Sequence, residues 1–321
     1  MEKGILLSIL IPTFNHEKYI EKAVRSVLMQ KVNFEYEVLI GEDCSTDGTR
    51  NVLLKLQKEL PPSFVILFRE KNTDKGISNF RDLYARAKGK YIIVLEGDDY
   101  WTYEYKIQKQ IDFLESHPDY VAVAHNVTVV DENDKPRTDY VYPECKKDFY
   151  TFKDYHKGML AGQTATIMRR NPNITAGFKN LDFYSNYPGD RRNCYVLLCN
   201  GKVGCIQEKW SAYRYVTSGG SSFSATFKIT NEFFVERIKF FKVLVDYTRE
   251  NFKDNSEALY CIESLYLRYL LREVIVRKNT DYSFGTWIEE FKLSNSKIKI
   301  IMFIIKESLY SVIKRCFRGN K

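Results

Sequence analysis

The sequence predicts an α/β fold: a mixed, mostly parallel sheet flanked by helices, followed by a C-terminal helical region. Three observations predict it. Short apolar runs, as expected of strands buried on both faces, alternate with helix-period segments from Ile5 to Val130. Three polar clusters, Pro12-Thr13-Phe14-Asn15, Glu42-Asp43 and Glu96–Asp99, follow such runs. From Thr226 onward the pattern is helical.

Taken in order, Ile5–Ile11 is the first strand and Thr13–His16 a polar turn. Glu17–Gln30 is a helix with Ile20, Val24, Val27 and Leu28 on one face. Tyr36–Ile40 is a second strand, and the N-cap types Ser45 and Thr46 precede a helix to about Glu59. Phe64–Phe68 is a third strand, and Ile77–Lys88 a helix with Gly89 as its C-cap. Tyr91–Leu95 is a fourth strand, Tyr103–Ser116 a helix stopped by Pro118, and Val121–Val130 a further strand. Phe149–Ser222 is less regular, with a turn and strand at Gly201–Ile206. The boundary falls near Phe223–Phe227, giving a sheet domain over 1–225 and a helical extension over 226–321.

With 321 residues, 44% of them hydrophobic, the chain can bury a sizeable core. No apolar run approaches the ~20 residues needed to cross a bilayer. The short run behind Met1–Gly4 does not read as a secretory signal. The seven cysteines are odd in number and lack zinc-type spacing, so they read as reduced cytoplasmic thiols. The triplets at Asn126 and Asn173 are then chance matches to a glycosylation signal. The net charge is +8, yet eight Lys/Arg against the single acid Glu307 lie from Lys292 to the end. The rest is nearly neutral, which argues against a nucleic-acid partner.

The polar clusters lie at the carboxyl ends of strands, where open α/β sheets bind ligands. None carries a GxGxxG or GxxxxGK[ST] loop, which disfavours dinucleotide and P-loop enzymes. Phosphates would instead be held through a hard divalent cation on carboxylates, ligand oxygens and water. Glu96, Asp98 and Asp99 suit that role. The plain alternative is an exposed turn whose acids cap the helix Tyr103–Ser116.

SILIPTFNHEKYIEKAVRSVLMQ, EVLIGEDCSTDGT and AKGKYIIVLEGDDYW, in that order and spacing, resemble the successive signatures of family 2 glycosyltransferases of the GT-A fold. Bacterial members that build surface polysaccharides are the nearest in look, and the resemblance runs from about Leu6 to Ser222. It implies a Rossmann-like catalytic domain over 1–225 that inverts configuration. The sugar would pass from a nucleotide-sugar, a UDP-sugar by the match at Asp43, to a hydroxyl of a glycan or lipid-linked saccharide. Capsule, lipopolysaccharide or exopolysaccharide synthesis would be the setting, with Mn2+ or Mg2+ as cofactor.

The same resemblance implies residue roles. Pro12, Thr13 and Asn15 would line the nucleotide, Asp43 would bond a uracil-type base, and Asn79 and Arg81 would border the diphosphate. Glu96-Gly97-Asp98 falls on the DxD motif. Asp98 would ligate the metal, Glu96 would face the ribose or a metal-bound water, and Asp99 would support the loop. Asp190, at a helix start about 90 residues downstream, would be the general base that takes the acceptor proton, with Asp182 as the fallback. Arg214 would pair with phosphate oxygens. Many relatives carry a His two residues after that Arg; Val216 stands there instead, leaving the metal to Asp98, the diphosphate and water. Gly162–Thr166 would face the acceptor. The plain alternatives are a helix cap for Asp43 and Asp190, a solvated helix face for Asn79 and Arg81, an ion pair for Arg214, and a β-strand for Gly162–Thr166. His16, His117, His125 and His156 read as structural.

Lys297–Arg318 places Ile301, Ile305, Leu309, Val312, Ile313 and Cys316 on one helical face, and Lys299, Lys306, Lys314 and Arg318 mostly on the other. A basic amphipathic helix fits an anionic membrane surface. Docking on its own domain or on a second copy, as in a homodimer, is the alternative. The chain is expected in the cytoplasm, at the inner face of the membrane if the helix binds lipid. Two other readings of the site stand beside the first: a nucleotide- or sugar-binding scaffold with a degenerate site, and a metal-dependent nucleotidyltransferase.

Overall fold

The computed structural model describes residues 4–72, 76–182, 187–216 and 228–318, the last eleven by backbone alone. They divide into two compact units. One comprises the described residues within Met1–Asp154, Gly158–Asn180 and Val196–Phe227. The other comprises those within Tyr155–Lys157, Leu181–Tyr195 and Lys228–Lys321. The boundary expected near Phe223–Phe227 lies outside the described residues.

The first unit is built on strands β1 (Leu7–Thr13), β2 (Tyr36–Glu42), β3 (Phe64–Phe68), β4 (Tyr91–Val94), β5 (Tyr100–Trp101), β6 (Tyr120–Val130), β7 (Phe149–Tyr150), β8 (Met168–Arg170) and β9 (Lys202–Arg214). They form one sheet in the order β3-β2-β1-β4-β8-β6-β9-β5, with β7 also on β9. β1 to β4 are mutually parallel, β8 runs antiparallel between β4 and β6, and β6 and β9 are parallel. Helices α1 (Ile20–Leu28), α2 (Thr49–Leu56), α3 (Ile77–Arg86) and α4 (Lys106–Ser116) connect the early strands. The alternating pattern therefore gives the mixed, mostly parallel sheet it predicts.

The apolar runs are continuous because both faces of the sheet are covered. In β1, Ile9 and Ile11 enter a core with α1, α2 and α4, while Leu10 enters a second with Leu83 of α3. Gly89 is not a helix cap, since α3 ends at Arg86. A Cβ there would collide with the backbone nitrogen of Ser8 and lie 2.6 Å from the carbonyl carbon of Leu7. Close approach of β1 is the reason for that glycine. The helix after β2 begins at Thr49, and its first turn is held by Asp47 Oδ1, which accepts from Thr49 N–H at 2.9 Å. Ser45 and Thr46 serve the loop before it instead.

In the second unit, α7 (Asn231–Asn251) and α8 (Ser256–Arg272) bury Ile238, Phe241, Leu244, Ile262 and Leu265. Thr230 and Asn255 cap them through backbone N–H groups of Phe233 and Ala258. α9 (Phe284–Leu293) follows, with Trp287 Nε1 donating to Leu267 carbonyl at 2.9 Å. The last helix is α10 (Lys297–Arg318). Short α5 (Phe152–His156) and α6 (Gly189–Asn200) each contribute residues to both units.

Candidate functional site

β1 lies between β2 and β4, where the strand order reverses, and the three loops beyond these strands are tied together. Asp43 N–H donates to Thr13 carbonyl at 3.0 Å, and Gly97 N–H to Pro12 carbonyl at 3.2 Å. The first loop thus carries the second on one side and the acidic loop on the other. Asn15 adopts a left-handed backbone, φ +56°. That turn lets its N–H reach Ser45 Oγ at 3.0 Å while its Oδ1 accepts from Thr46 N–H at 2.8 Å. Glu42, fully buried, accepts from Ser45 N–H and from Arg50 Nε, both at 2.6 Å.

The acids of the third loop separate into distinct environments. Asp99 is 1% exposed and accepts from Arg214 N–H at 2.8 Å and Gln163 Nε2 at 2.7 Å. Burial, then the charges of Asp98 and Glu96, hold its carboxyl well above the usual carboxylate range. Gln163 Nε2 also donates to Glu96 Oε2 at 3.1 Å, so one amide bridges two acids. Asp98 is partly open, its side chain 13% exposed, and its Oδ2 stands 3.9 Å from His16 Nε2. His16 Nδ1 is 3.2 Å from Thr13 Oγ1. Gly97 fits between these groups only because it lacks a side chain: a Cβ would stand 2.6 Å from Thr13 Oγ1 and 2.7 Å from His16 Nδ1.

The candidate residues fall as follows. Pro12, Thr13, Asn15, Asp43, Glu96 and Asp98 are brought to one edge. The acids are not an exposed capping turn, because α4 starts at Lys106 with no side-chain cap. Asp43 is 3% exposed and does not cap α2; its Oδ2 accepts from Asn72 Nδ2 at 3.0 Å. Asn79 is on no solvated face: it is 3% exposed, donates to Gly41 carbonyl at 2.9 Å and accepts from Arg69 Nε at 3.0 Å. Arg81 is exposed on α3. Arg214 takes the ion-pair alternative. Its guanidinium, 2% exposed, donates to Asp98 carbonyl (2.9 Å), Asp131 carbonyl (2.7 Å) and Asp134 Oδ1 (2.6 Å). It braces the acidic loop from behind. Gly162–Thr166 is not a strand: Thr164–Thr166 is one 3-10 turn capped by Gln163. Asp190 lies in the first turn of α6, and Asp182 is exposed; both belong to the second unit.

Two residues, His16 from the first polar turn and Gln163 from the segment expected to face the acceptor, stand beside the acidic loop. His16, read as structural, stands 3.9 Å from Asp98 Oδ2; its signal was its place directly after Asn15 in the first polar turn. Gln163 braces Glu96 and Asp99 across 64 or more positions of chain, for which no local signal exists.

The fit of a divalent cation to these three acids turns on which carboxylate is open. Asp99 has both oxygens bonded and Glu96 is tied to Gln163, so Asp98 is the carboxylate best placed to ligate. Among the described residues no three His, Cys, Asp or Glu side chains gather as a ligand group, and Val216 is buried. Such an ion would complete its shell with diphosphate oxygens and water, as Mg2+ or Mn2+ commonly does.

The chain is similar to known proteins in sequence and in fold. The family model described as Glycosyl transferase family 2 matches residues 8–176, over half of the chain. The chain belongs to glycosyl transferase family 2. It is 36% identical over 109 residues to the putative teichuronic acid biosynthesis glycosyltransferase TuaG of Bacillus subtilis, covering 34% of this chain and 42% of that one. The matches span 58% or less of the length of the curated relatives. Among solved structures, S. aureus TarS 1-349 in complex with UDP-GlcNAc aligns with TM-score 0.62 and 17% identity, over 89% of this chain and 80% of that one. The Pyrobaculum calidifontis mannosyltransferase PcManGT in complex with GDP-Man and Mn2+ aligns with TM-score 0.51 and 12% identity, over 96% and 81%. These two likenesses establish the fold as that of GT-A enzymes.

Proposed function

We propose that this chain is an inverting, metal-dependent glycosyltransferase. It moves a sugar from a nucleotide-sugar, a UDP-sugar, to a hydroxyl of a glycan or lipid-linked saccharide in bacterial surface-polysaccharide synthesis. The observation that carries the reading is Asp98, a partly open carboxylate beside His16, while its acidic neighbours are tied back. Family membership supports it, as do the teichuronic acid role in TuaG's description and the UDP-GlcNAc complex of TarS. In this reading Pro12, Thr13, Asn15 and Asp43 border the nucleoside, Arg81 lies toward the diphosphate, and Asp98 holds Mn2+ or Mg2+. Asn79 and Arg214 act as braces, through Gly41 and the Asp98 carbonyl.

Transfer is a single displacement at the anomeric carbon. The acceptor oxygen bonds to that carbon as the bond to phosphate breaks, and the electron pair leaves on the diphosphate. Asp190 takes the acceptor's proton. A divalent cation held at Asp98 would offset the charge growing on the leaving diphosphate. The test is transfer from UDP-sugars to a lipid-linked saccharide by Asp98→Asn and Asp190→Asn. Each is expected to lose about a thousandfold or more in kcat while keeping the wild-type melting temperature within a few degrees. Wild-type protein that binds nucleotide yet releases no diphosphate with any acceptor would instead mark a binding scaffold.

A further inference from the structure

Among the described residues, the helix α10 has two apolar faces, one covered and one exposed. Ile300, Phe303, Ile304 and Glu307, spaced i, i+3, i+4, i+7, form the docked face. Ile300 is 0% exposed, Phe303 packs its ring 4.2 Å from that of His156, and Glu307 pairs with Arg268 of α8 at 2.9 Å. The opposite face carries Ile298, Ile301, Met302 and Ile305 at the same spacing. These are 77%, 42%, 65% and 53% exposed. A helical period sets Lys297 along one border of this stripe and Lys299 and Lys306 along the other, all three exposed. Leu309, Val312, Ile313, Cys316, Lys314 and Arg318 lie outside the described side chains.

We propose that this uncovered face lays the protein on an anionic lipid surface, with the helix axis in the membrane plane. The apolar stripe enters the headgroup boundary while the bordering lysines bury their stems and keep their ammonium groups among lipid phosphates. Charge selects this occupant over a second copy of the chain. From Lys292 onward cations outnumber acids eight to one. The one acid, Glu307, already pairs with Arg268. A second copy would set lysine against lysine across the stripe. No helix among the described residues is long and apolar enough to cross a membrane, so the helix lies on the surface and does not span it.

The test is co-sedimentation of the full chain with phosphatidylglycerol–phosphatidylcholine vesicles, against pure phosphatidylcholine. Binding to the anionic vesicles is expected, weakened by salt. The double variant Ile301→Ser/Ile305→Ser should lose about tenfold or more in vesicle affinity, and so should Lys299→Glu/Lys306→Glu. Both should melt as the wild type does, since all four side chains are exposed. Equal binding to neutral vesicles, no binding to either, or unchanged binding by both variants would overturn the proposal. So would a concentration-dependent dimer, seen by sedimentation equilibrium, that the Ile301→Ser/Ile305→Ser variant abolishes. The readout needs no transfer activity, so its failure is separable from failure of the proposed chemistry.

Discussion

At the carboxyl edge of the sheet, charged groups are buried: Glu42, Asp43, Asp99 and Arg214 are each 3% exposed or less. On α10 the exception runs the other way, and four large apolar side chains face solvent. Buried charge is tolerated only where its hydrogen bonds are met, and at the sheet edge each of these groups has them. The outcome is one partly open carboxylate, Asp98, on a loop held by its neighbours. Exposed apolar surface has no such internal remedy. The buried charges of the first region are met within the chain, whereas the second leaves its apolar side chains open to solvent.

The two regions should fail differently. The largest loss is expected from Asp99→Ala, which strips an acceptor from Arg214 N–H and from Gln163. Leaving buried donors unmet should cost roughly 3 kcal/mol in denaturant unfolding, and nucleotide binding should fall with it. A stability within error of wild type would mean the acidic loop does not depend on its buried acid.

Acid should separate the regions next. Burial, then the charges of Arg268 and Arg191, push His156 down to about 4. Its ring lies beneath the docked face of α10, against Phe303. The unfolded chain takes up a proton near pH 6.5 while the folded ring stays neutral to about pH 4. Stability contributed here is therefore lost as pH falls through that window, by about 3 kcal/mol. Asp99 has the opposite sign: its raised folded value means that lowering the pH favours the folded form. Chemical denaturation of wild type and His156→Leu from pH 7 to 4 should give a flatter slope for the variant. Identical slopes would remove His156 as the cause.

Gly97→Ala is a smaller and more local break. Its methyl would press on Thr13 and His16, costing about 1–3 kcal/mol. A larger proportional effect is expected on nucleotide affinity, read by thermal shift with and without UDP. The smallest effect belongs to Ile301→Ser: within about 0.5 kcal/mol of wild type in stability, although vesicle binding changes. A clear destabilisation would show that this face is packed after all.

The core sheet was legible because burial on both faces writes continuous apolar runs, as in Leu7–Ile11 and Tyr91–Leu95. The loop ends were legible because polar residues follow those runs abruptly. β5, β7 and β8 were not, being two or three residues each and defined by partners rather than by pattern. β9 was read only to Ile206, since exposed Gln207, Glu208 and Lys209 sit at its register shift against β6 and break the apolar signal. Within the site, residue types and places at strand ends were readable. Which acid is buried and which open was not, because Gln163, Arg214 and His16 decide it through contacts distant in sequence.

The central claim is that Asp98 holds a divalent cation jointly with a nucleoside diphosphate. Calorimetric titration of UDP into wild type and Asp98→Asn, each with Mn2+ and with chelator, tests it directly. Wild type should bind UDP at least about tenfold more tightly with Mn2+, bind Mn2+ alone only weakly, and lose the metal-dependent gain in Asp98→Asn. An Asp98→Asn protein whose UDP affinity responds to Mn2+ as the wild type's does would contradict the account.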